Sequence, residues 1–115
     1  MAIKIYHNPR CSKSRKALEV LDESMHDIEV INYLQEGVSD EVLRMGIEQL
    51  GFEKFIRTGE EAYKAHIKGQ ELDDTQLVKV LKDHPILMQR PLLVKEDGTC
   101  MLGRDTAEVE ELVKK

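Results

Sequence analysis

The chain has 115 residues, enough for one small domain built around a single hydrophobic core. Hydrophobic residues make up 41% of it and charged residues 34%, a balance that excludes a disordered chain. The net charge of −5 and the absence of tryptophan disfavour a nucleic-acid-binding protein. No apolar run approaches the length of a membrane span, and the first residues do not have a signal-peptide pattern. We therefore expect a cytoplasmic protein that binds neither nucleic acid nor membranes.

The hydrophobic pattern changes from strand to helix and back along the chain. Its predicted order is strand, helix, strand, a long helical stretch, two strands and a final helix. The predicted elements are strand 2–7, loop 8–11, helix 12–25, strand 28–33, the helical stretch 34–85, strands 92–96 and 99–102, and a helix from about residue 105.

Capping signals divide the helical stretch into separate helices. Ser39 is a typical cap for a first helix, and Gly51 is a typical stop for it. A shorter helix is predicted at 60–68, and Asp73 with Gln76 has the spacing of a capping box at the start of the last one. The stretch therefore reads as a set of helices inserted between the two groups of strands.

Without the helical stretch, the predicted order matches a thioredoxin-like arrangement. A strand–helix–strand unit normally has parallel strands, and the dipeptide DG at 97–98 is a strong hairpin signal between the last two strands. We predict an α/β fold, a thioredoxin-like four-stranded mixed sheet with a helical insertion. The whole chain is then one domain, with its core at 1–33 and 86–115 and the insertion at 34–85.

Cys11 is the residue that most strongly indicates chemistry, because it stands between the first strand and the first helix. The first N–H groups of a helix are unpaired and its N-terminus is the positive end of the helix dipole. Both features favour the thiolate, which is the nucleophilic form. Five of the first 20 residues are basic and one is acidic. Because such surroundings also attract an oxyanion, the segment predicts a nucleophile beside an anion site.

Two known types of cysteine site do not fit this segment. A redox-active dithiol requires Cys-x-x-Cys, and the second position is Ser14. A phosphatase loop requires an arginine six residues after the cysteine, and that residue is Ala17. A buried structural cysteine remains the alternative for Cys11. Cys100 alternates within a strand pattern, so we predict a small buried side chain there and not a resolving thiol.

The segment HNPRCSKSR at residues 7–15 resembles the H-N-P-x-C-x-x-S-R signature of the glutaredoxin-coupled arsenate reductases, the ArsC family. The similarity continues through YL at 33–34, HPILMQRP at 84–91 and GR at 103–104, in family order. The resemblance implies a role in arsenic detoxification. It also implies that Cys11 attacks arsenate or a similar oxyanion, and that the oxyanion is held by Arg57, Arg90 and Arg104.

The same resemblance implies roles for the residues around the nucleophile. His7 resembles a family histidine that helps to lower the pKa of the thiol, although a buried structural histidine remains the alternative. Asn8, Ser14 and Arg15 complete the loop. In thioredoxin-like folds the strand that faces the nucleophile begins with a cis-proline, which predicts a cis peptide bond before Pro91.

A second thiol is needed after arsenate has bonded to the cysteine. With a serine at position 14, the resemblance implies glutathione as co-substrate and glutaredoxin as the partner that resolves the mixed disulfide. We expect a monomer without a bound cofactor and without a metal site, since the histidines have no metal-ligand spacing. Two alternatives stay open: a glutathione-dependent thiol oxidoreductase with another substrate, and an Spx-type regulator that binds RNA polymerase. The missing Cys-x-x-Cys disfavours the regulator.

Overall fold

The computed structural model describes residues 2–24 and 26–113. Its elements, in chain order, are β1 (Ala2–His7), α1 (Ser12–Asp22), β2 (Asp27–Asn32), α2 (Tyr33–Glu36), α3 (Asp40–Leu50), α4 (Phe52–Phe55), α5 (Glu61–His66), α6 (Asp74–Asp83), a 3-10 helix (Pro85–Leu87), β3 (Leu92–Lys95), β4 (Cys100–Leu102) and α7 (Thr106–Val113).

Four strands form one mixed sheet in the order β2-β1-β3-β4. The strands β1 and β2 are parallel and α1 connects them, while β1 pairs antiparallel with β3 and β3 with β4. The predicted α/β fold with a four-stranded mixed sheet is confirmed. The register places His7 opposite Asn32, and Tyr6 opposite Leu92. The ends of β1 and β2 and the start of β3 therefore lie at one edge of the sheet.

Two compact units make up the chain. The first, Met1–Glu36 with Arg90–Lys115, contains the sheet with α1, α2 and α7, and the second is Gly37–Gln89. The insertion expected at 34–85 corresponds to this second unit, whose two bounds both lie slightly later in the chain.

The hydrophobic core of the first unit lies between the sheet and two helices. Ile3 and Ile5 alternate along β1 and are fully buried, as side chains on one face of a strand should be. Ala17 and Leu21, one turn apart on α1, and Val109 of α7 belong to the same buried cluster. This packing fixes α1 against the sheet and so positions the loop between β1 and α1.

The first two elements differ slightly from their predicted bounds. Helix α1 ends at Asp22 and not at residue 25, because the N–H and the hydroxyl of Ser24 both donate to the Leu21 carbonyl, at 3.0 and 2.6 Å. Strand β2 runs over 27–32 and not 28–33, so Tyr33 begins the next helix. Met25, which the predicted helix includes, lies outside the described residues.

The second unit consists of short helices with the predicted caps. The hydroxyl of Ser39 caps α3, which ends at Gly51 with a positive φ of 82°, a conformation that favours glycine. Asp73 and Gln76 form the predicted capping box of α6. The helix predicted at 60–68 is the shorter α5, Glu61–His66.

Candidate active site

Cys11 is the N-cap residue of α1, as the sequence predicts. Its backbone is extended, with φ −96° and ψ 121°, and its side chain makes no capping hydrogen bond. The Cys11 N–H donates to the Asn8 carbonyl at 3.0 Å, and the Cys11 carbonyl accepts the N–H of Arg15 at 3.0 Å. The sulfur therefore lies at the end of the helix where backbone N–H groups are unpaired.

The surroundings of Cys11 lower the pKa of its thiol. Burial on its own raises this pKa, but the backbone N–H groups of Ser14 and Lys13 and the guanidinium of Arg90 outweigh it by stabilising the thiolate. The net pKa lies below the ordinary value for cysteine. Cys11 thus has a larger thiolate fraction near neutral pH than an ordinary cysteine.

A buried serine holds the loop that carries Cys11. Ser14 is fully buried, and its Oγ lies 2.6 Å from Nδ1 of His7 and accepts the N–H of Asn8 at 3.1 Å. Burial and the nearby Arg15 lower the pKa of His7, so its ring is neutral over a wider pH range. His7 is hydrogen-bonded to the Ser14 side chain, and the backbone N–H of the same serine stabilises the Cys11 thiolate.

The two other loop residues brace the turn that precedes Cys11. The Oδ1 of Asn8 accepts the N–H of Arg10 at 2.9 Å. The guanidinium of Arg15 donates through Nη1 to the Pro9 carbonyl at 2.9 Å. Both predicted loop residues therefore contact the backbone of the turn.

Arg90 comes directly before β3 and acts on the Cys11 sulfur. The peptide bond between Arg90 and Pro91 is cis, in agreement with the prediction. The Nε and Nη1 atoms of Arg90 are buried, and no described residue accepts a hydrogen bond from them in good geometry. Buried guanidinium nitrogens normally have acceptors, so this group can bind an anion.

The Gly103-Arg104 pair supports the Arg90-Pro91 segment. The Gly103 N–H donates to the Pro91 carbonyl at 2.9 Å. A Cβ at position 103 would lie 3.1 Å from Pro91 Cγ, a tight contact that glycine avoids. The exposed Arg104 donates through Nη1 to the Arg90 carbonyl at 2.7 Å. The structure therefore brings Arg104 to the segment that carries Arg90.

Arg57 lies in the second unit. Its N–H donates to the Leu87 carbonyl at 2.7 Å, and its Nη1 forms an ion pair with Glu60 at 3.0 Å. A contact with an oxyanion stays a prediction for this residue.

Tyr33 lies near the residues around Cys11, although no sequence pattern predicts a role for it. Its side chain is fully buried, and the Arg90 guanidinium, the Asn8 amide and the Cys11 thiol all act on its hydroxyl. The available signal is positional, because Tyr33 follows the end of β2 just as Asn8 follows the end of the parallel strand β1.

Cys100 is buried in β4, as predicted. Its thiol points to the Gly98 carbonyl at 3.8 Å, and burial raises its pKa.

Neither a metal site nor a membrane-spanning helix is found in the part of the chain that the structure describes. Among its His, Cys, Asp and Glu residues, there is no group of three or more side chains that could hold a metal ion. None of its helices is both long and apolar enough to cross a membrane.

Comparisons with known proteins agree with this geometry. The model of the ArsC family matches residues 6–112. The Escherichia coli protein YfgD, described as uncharacterized, is 36% identical, and the match covers 96% of each chain. A Neisseria meningitidis protein named arsenate reductase is 34% identical over 96% of this chain and 97% of its own. A solved structure of an arsenate reductase from Vibrio cholerae has a TM-score of 0.83 at 37% identity, covering 96% and 97% of the two chains.

Proposed function

Because the chain belongs to the ArsC family, we propose that it is an arsenate reductase with Cys11 as its nucleophile. The observation that carries this proposal is the buried guanidinium of Arg90. Its Nε and Nη1 have no acceptor among the described residues, and it lies beside a thiol of lowered pKa. A tetrahedral oxyanion supplies acceptors for such a planar group and presents its central atom to the thiolate.

The groups that face the sulfur support an anionic substrate. Ser14 N–H, Lys13 N–H and the Arg90 guanidinium are all hydrogen-bond donors. Arsenate carries about one to two negative charges at neutral pH, so a thiolate that attacks it meets electrostatic repulsion. Fixed donors that are already oriented relieve this repulsion without reorganisation. We propose that Arg57 and Arg104 supply the further positive charge that offsets the charge of arsenate.

The proposed reaction transfers two electrons from two thiols to arsenic. The Cys11 thiolate bonds to the arsenic of arsenate, and one arsenate oxygen leaves as water after protonation. A glutathione thiolate then attacks the Cys11 sulfur and forms a disulfide with it. The sulfur–arsenic bond breaks, and its electron pair reduces arsenic(V) to arsenic(III), which leaves as arsenite. Overall, arsenate and two thiols give arsenite, one disulfide and water, so atoms and electrons balance.

Glutathione is the proposed second thiol because position 14 holds no cysteine. Ser14 has a structural task in the His7 hydrogen bond, and burial raises the pKa of the only other cysteine, Cys100. A glutaredoxin thiol then attacks the glutathione sulfur of the mixed disulfide and releases Cys11. We further propose that the enzyme acts in the cytoplasm as a monomer without a bound cofactor.

A coupled assay tests the proposal. Purified protein is mixed with glutathione, glutaredoxin, glutathione reductase and NADPH, and NADPH oxidation is followed with arsenate or with a glutathionylated peptide. We expect arsenate-dependent oxidation that disappears in the variant Cys11→Ser. Oxidation that requires Cys11 but occurs only with the glutathionylated peptide would replace the proposal by a glutathione-dependent thiol oxidoreductase.

A further inference from the structure

The hydroxyl of Tyr33 lies at the same edge of the sheet as the reactive thiol. Strands β1 and β2 are parallel and in register at His7 and Asn32. The next residue of each strand, Asn8 and Tyr33, therefore follows at the carboxyl end of the parallel pair. Because β3 runs antiparallel and begins at Leu92, the segment that contains Arg90 arrives at this edge as well.

This hydroxyl is buried without a hydrogen-bond partner. Tyr33 is 0% exposed, and no described residue accepts from or donates to its Oη in hydrogen-bond geometry. Buried hydroxyls in folded proteins are almost always hydrogen-bonded, so an unpaired one is suited to bind a polar ligand.

The neighbours of Tyr33 Oη are donors, which leaves its own proton without an acceptor. Arg90 can only donate. The Oδ1 of Asn8 accepts the N–H of Arg10, and the Asn8 amide lowers the pKa of Tyr33, which is the effect of a donor on a phenol. Burial raises the pKa of Tyr33, although Arg90 and Asn8 oppose it, and the hydroxyl therefore keeps its proton at neutral pH.

An anion bound beside Cys11 would supply this acceptor. The groups that stabilise the Cys11 thiolate are Ser14 N–H, Lys13 N–H and Arg90. Arg90 acts on both the Cys11 thiol and the Tyr33 hydroxyl, and Cys11 acts weakly on Tyr33, so these three groups lie near one another. Like Tyr33 Oη, two buried nitrogens of Arg90 have no hydrogen-bond partner among the described residues.

We propose that Tyr33 is part of the anion site and that its hydroxyl donates a hydrogen bond to one oxygen of the oxyanion held by Arg90 beside Cys11. This inference rests on the proposed function, since it requires a tetrahedral oxyanion at that place. A neutral donor complements Arg90, because it binds an oxygen without adding a further charge.

The test is oxyanion binding by variants that cannot react. Cys11→Ser removes the chemistry, and arsenate binding to it is measured by titration calorimetry with and without Tyr33→Phe, which deletes only the hydroxyl. The matched control is Tyr6→Phe. Tyr6 is a buried tyrosine of β1. Besides burial, the residues that affect the pKa of its hydroxyl are Glu29 and Cys100, which are not residues of the anion site.

We expect Tyr33→Phe to weaken arsenate binding by about tenfold or more, as loss of a hydrogen bond to a charged group does. Tyr6→Phe should leave the Kd unchanged. In protein that keeps Cys11, Tyr33→Phe should not shift the pH profile of Cys11 alkylation, because the hydroxyl donates to the anion and not to the sulfur.

Two results would overturn the inference in distinguishable ways. If Cys11→Ser binds arsenate and Tyr33→Phe does not change the Kd, the role of Tyr33 is wrong and the proposed function stands. If Cys11→Ser binds no arsenate, both are wrong. Should Tyr33→Phe fail to fold, a crystal structure of Cys11→Ser with arsenate decides: Tyr33 Oη must lie within about 3 Å of an arsenate oxygen.

Discussion

The two cysteines of this chain occupy opposite kinds of site in the same sheet-containing unit. Cys11 is the N-cap residue of α1, and backbone N–H groups and the Arg90 guanidinium stabilise its thiolate. Cys100 is paired within β4 opposite Val94, and its thiol points to a carbonyl oxygen. Burial acts in the same direction on both, raising each pKa. Only at Cys11 do donors reverse the shift.

In this chain the hydrogen-bond donors near the sulfur, and not burial alone, set the direction in which the pKa of each thiol shifts. A thiolate that loses water needs other donors to replace it, and the end of a helix supplies them from the backbone. At Cys100, in the edge strand β4, burial is the cause that raises the pKa of the thiol.

Exchanging the sulfur at each position should have opposite consequences for catalysis. Cys11→Ser should abolish arsenate reduction, because a hydroxyl is not ionised and forms no thiol–arsenate bond. Cys100→Ser should keep most of the wild-type kcat/KM, measured in the coupled NADPH assay. Comparable losses in both variants would indicate a disulfide between the two positions and a different mechanism.

Removing the Arg90 guanidinium should lower kcat/KM for arsenate strongly, although less than Cys11→Ser does. Arg90→Ala should lower kcat/KM for arsenate by roughly 2–4 kcal/mol in transition-state terms, as loss of one preorganised donor does. Arg90→Lys should recover part of this, since it keeps the charge and loses the planar fork.

The control for Arg90 is Arg44→Ala, which changes an exposed arginine of α3. Steady-state kinetics of Arg44→Ala should match wild type. Wild-type kinetics in Arg90→Ala would contradict an oxyanion site beside Cys11.

The loop around Cys11 depends on one buried hydroxyl, whereas strand pairing holds Cys100. Ser14→Ala leaves the N–H of Asn8 and Nδ1 of His7 without their partner. We expect the free energy of unfolding to fall by about 1–3 kcal/mol, measured by urea denaturation. The exposed Ser12 of the same helix is the control, and Ser12→Ala should change it by less than about 0.5 kcal/mol. Equal effects would mean that the Ser14 hydroxyl does not hold the loop.

Local signals were sufficient to predict much of the fold and the nucleophile. The β1–loop–α1 order, the Ser39 cap and the Asp73 capping box each depend on a few neighbouring residues, and the structure contains all of them. The position of Cys11 at a helix N-terminus is likewise a local property. The cis bond before Pro91 followed from the family resemblance.

The rest depends on tertiary contacts that no local pattern encodes. Tyr33 fits a strand pattern as a hydrophobic residue, and only the register of β1 with β2 places its hydroxyl near the site. The contact of Arg104 with the Arg90 carbonyl requires the β3–β4 pairing. The earlier end of α1 depends on the bonds of Ser24, which compete with the continuing helix pattern.

The pH dependence of alkylation at each cysteine measures directly whether the two thiols have opposite pKa shifts. Iodoacetamide reacts with the thiolate, so its rate against pH gives the pKa of Cys11 in Cys100→Ser and of Cys100 in Cys11→Ser. The midpoint for Cys11 should lie below the ordinary value of about 8.5, so that its reaction persists as the pH falls, and the midpoint for Cys100 should lie above it. A Cys11 midpoint at or above the ordinary value would show that the surroundings of Cys11 do not stabilise its thiolate.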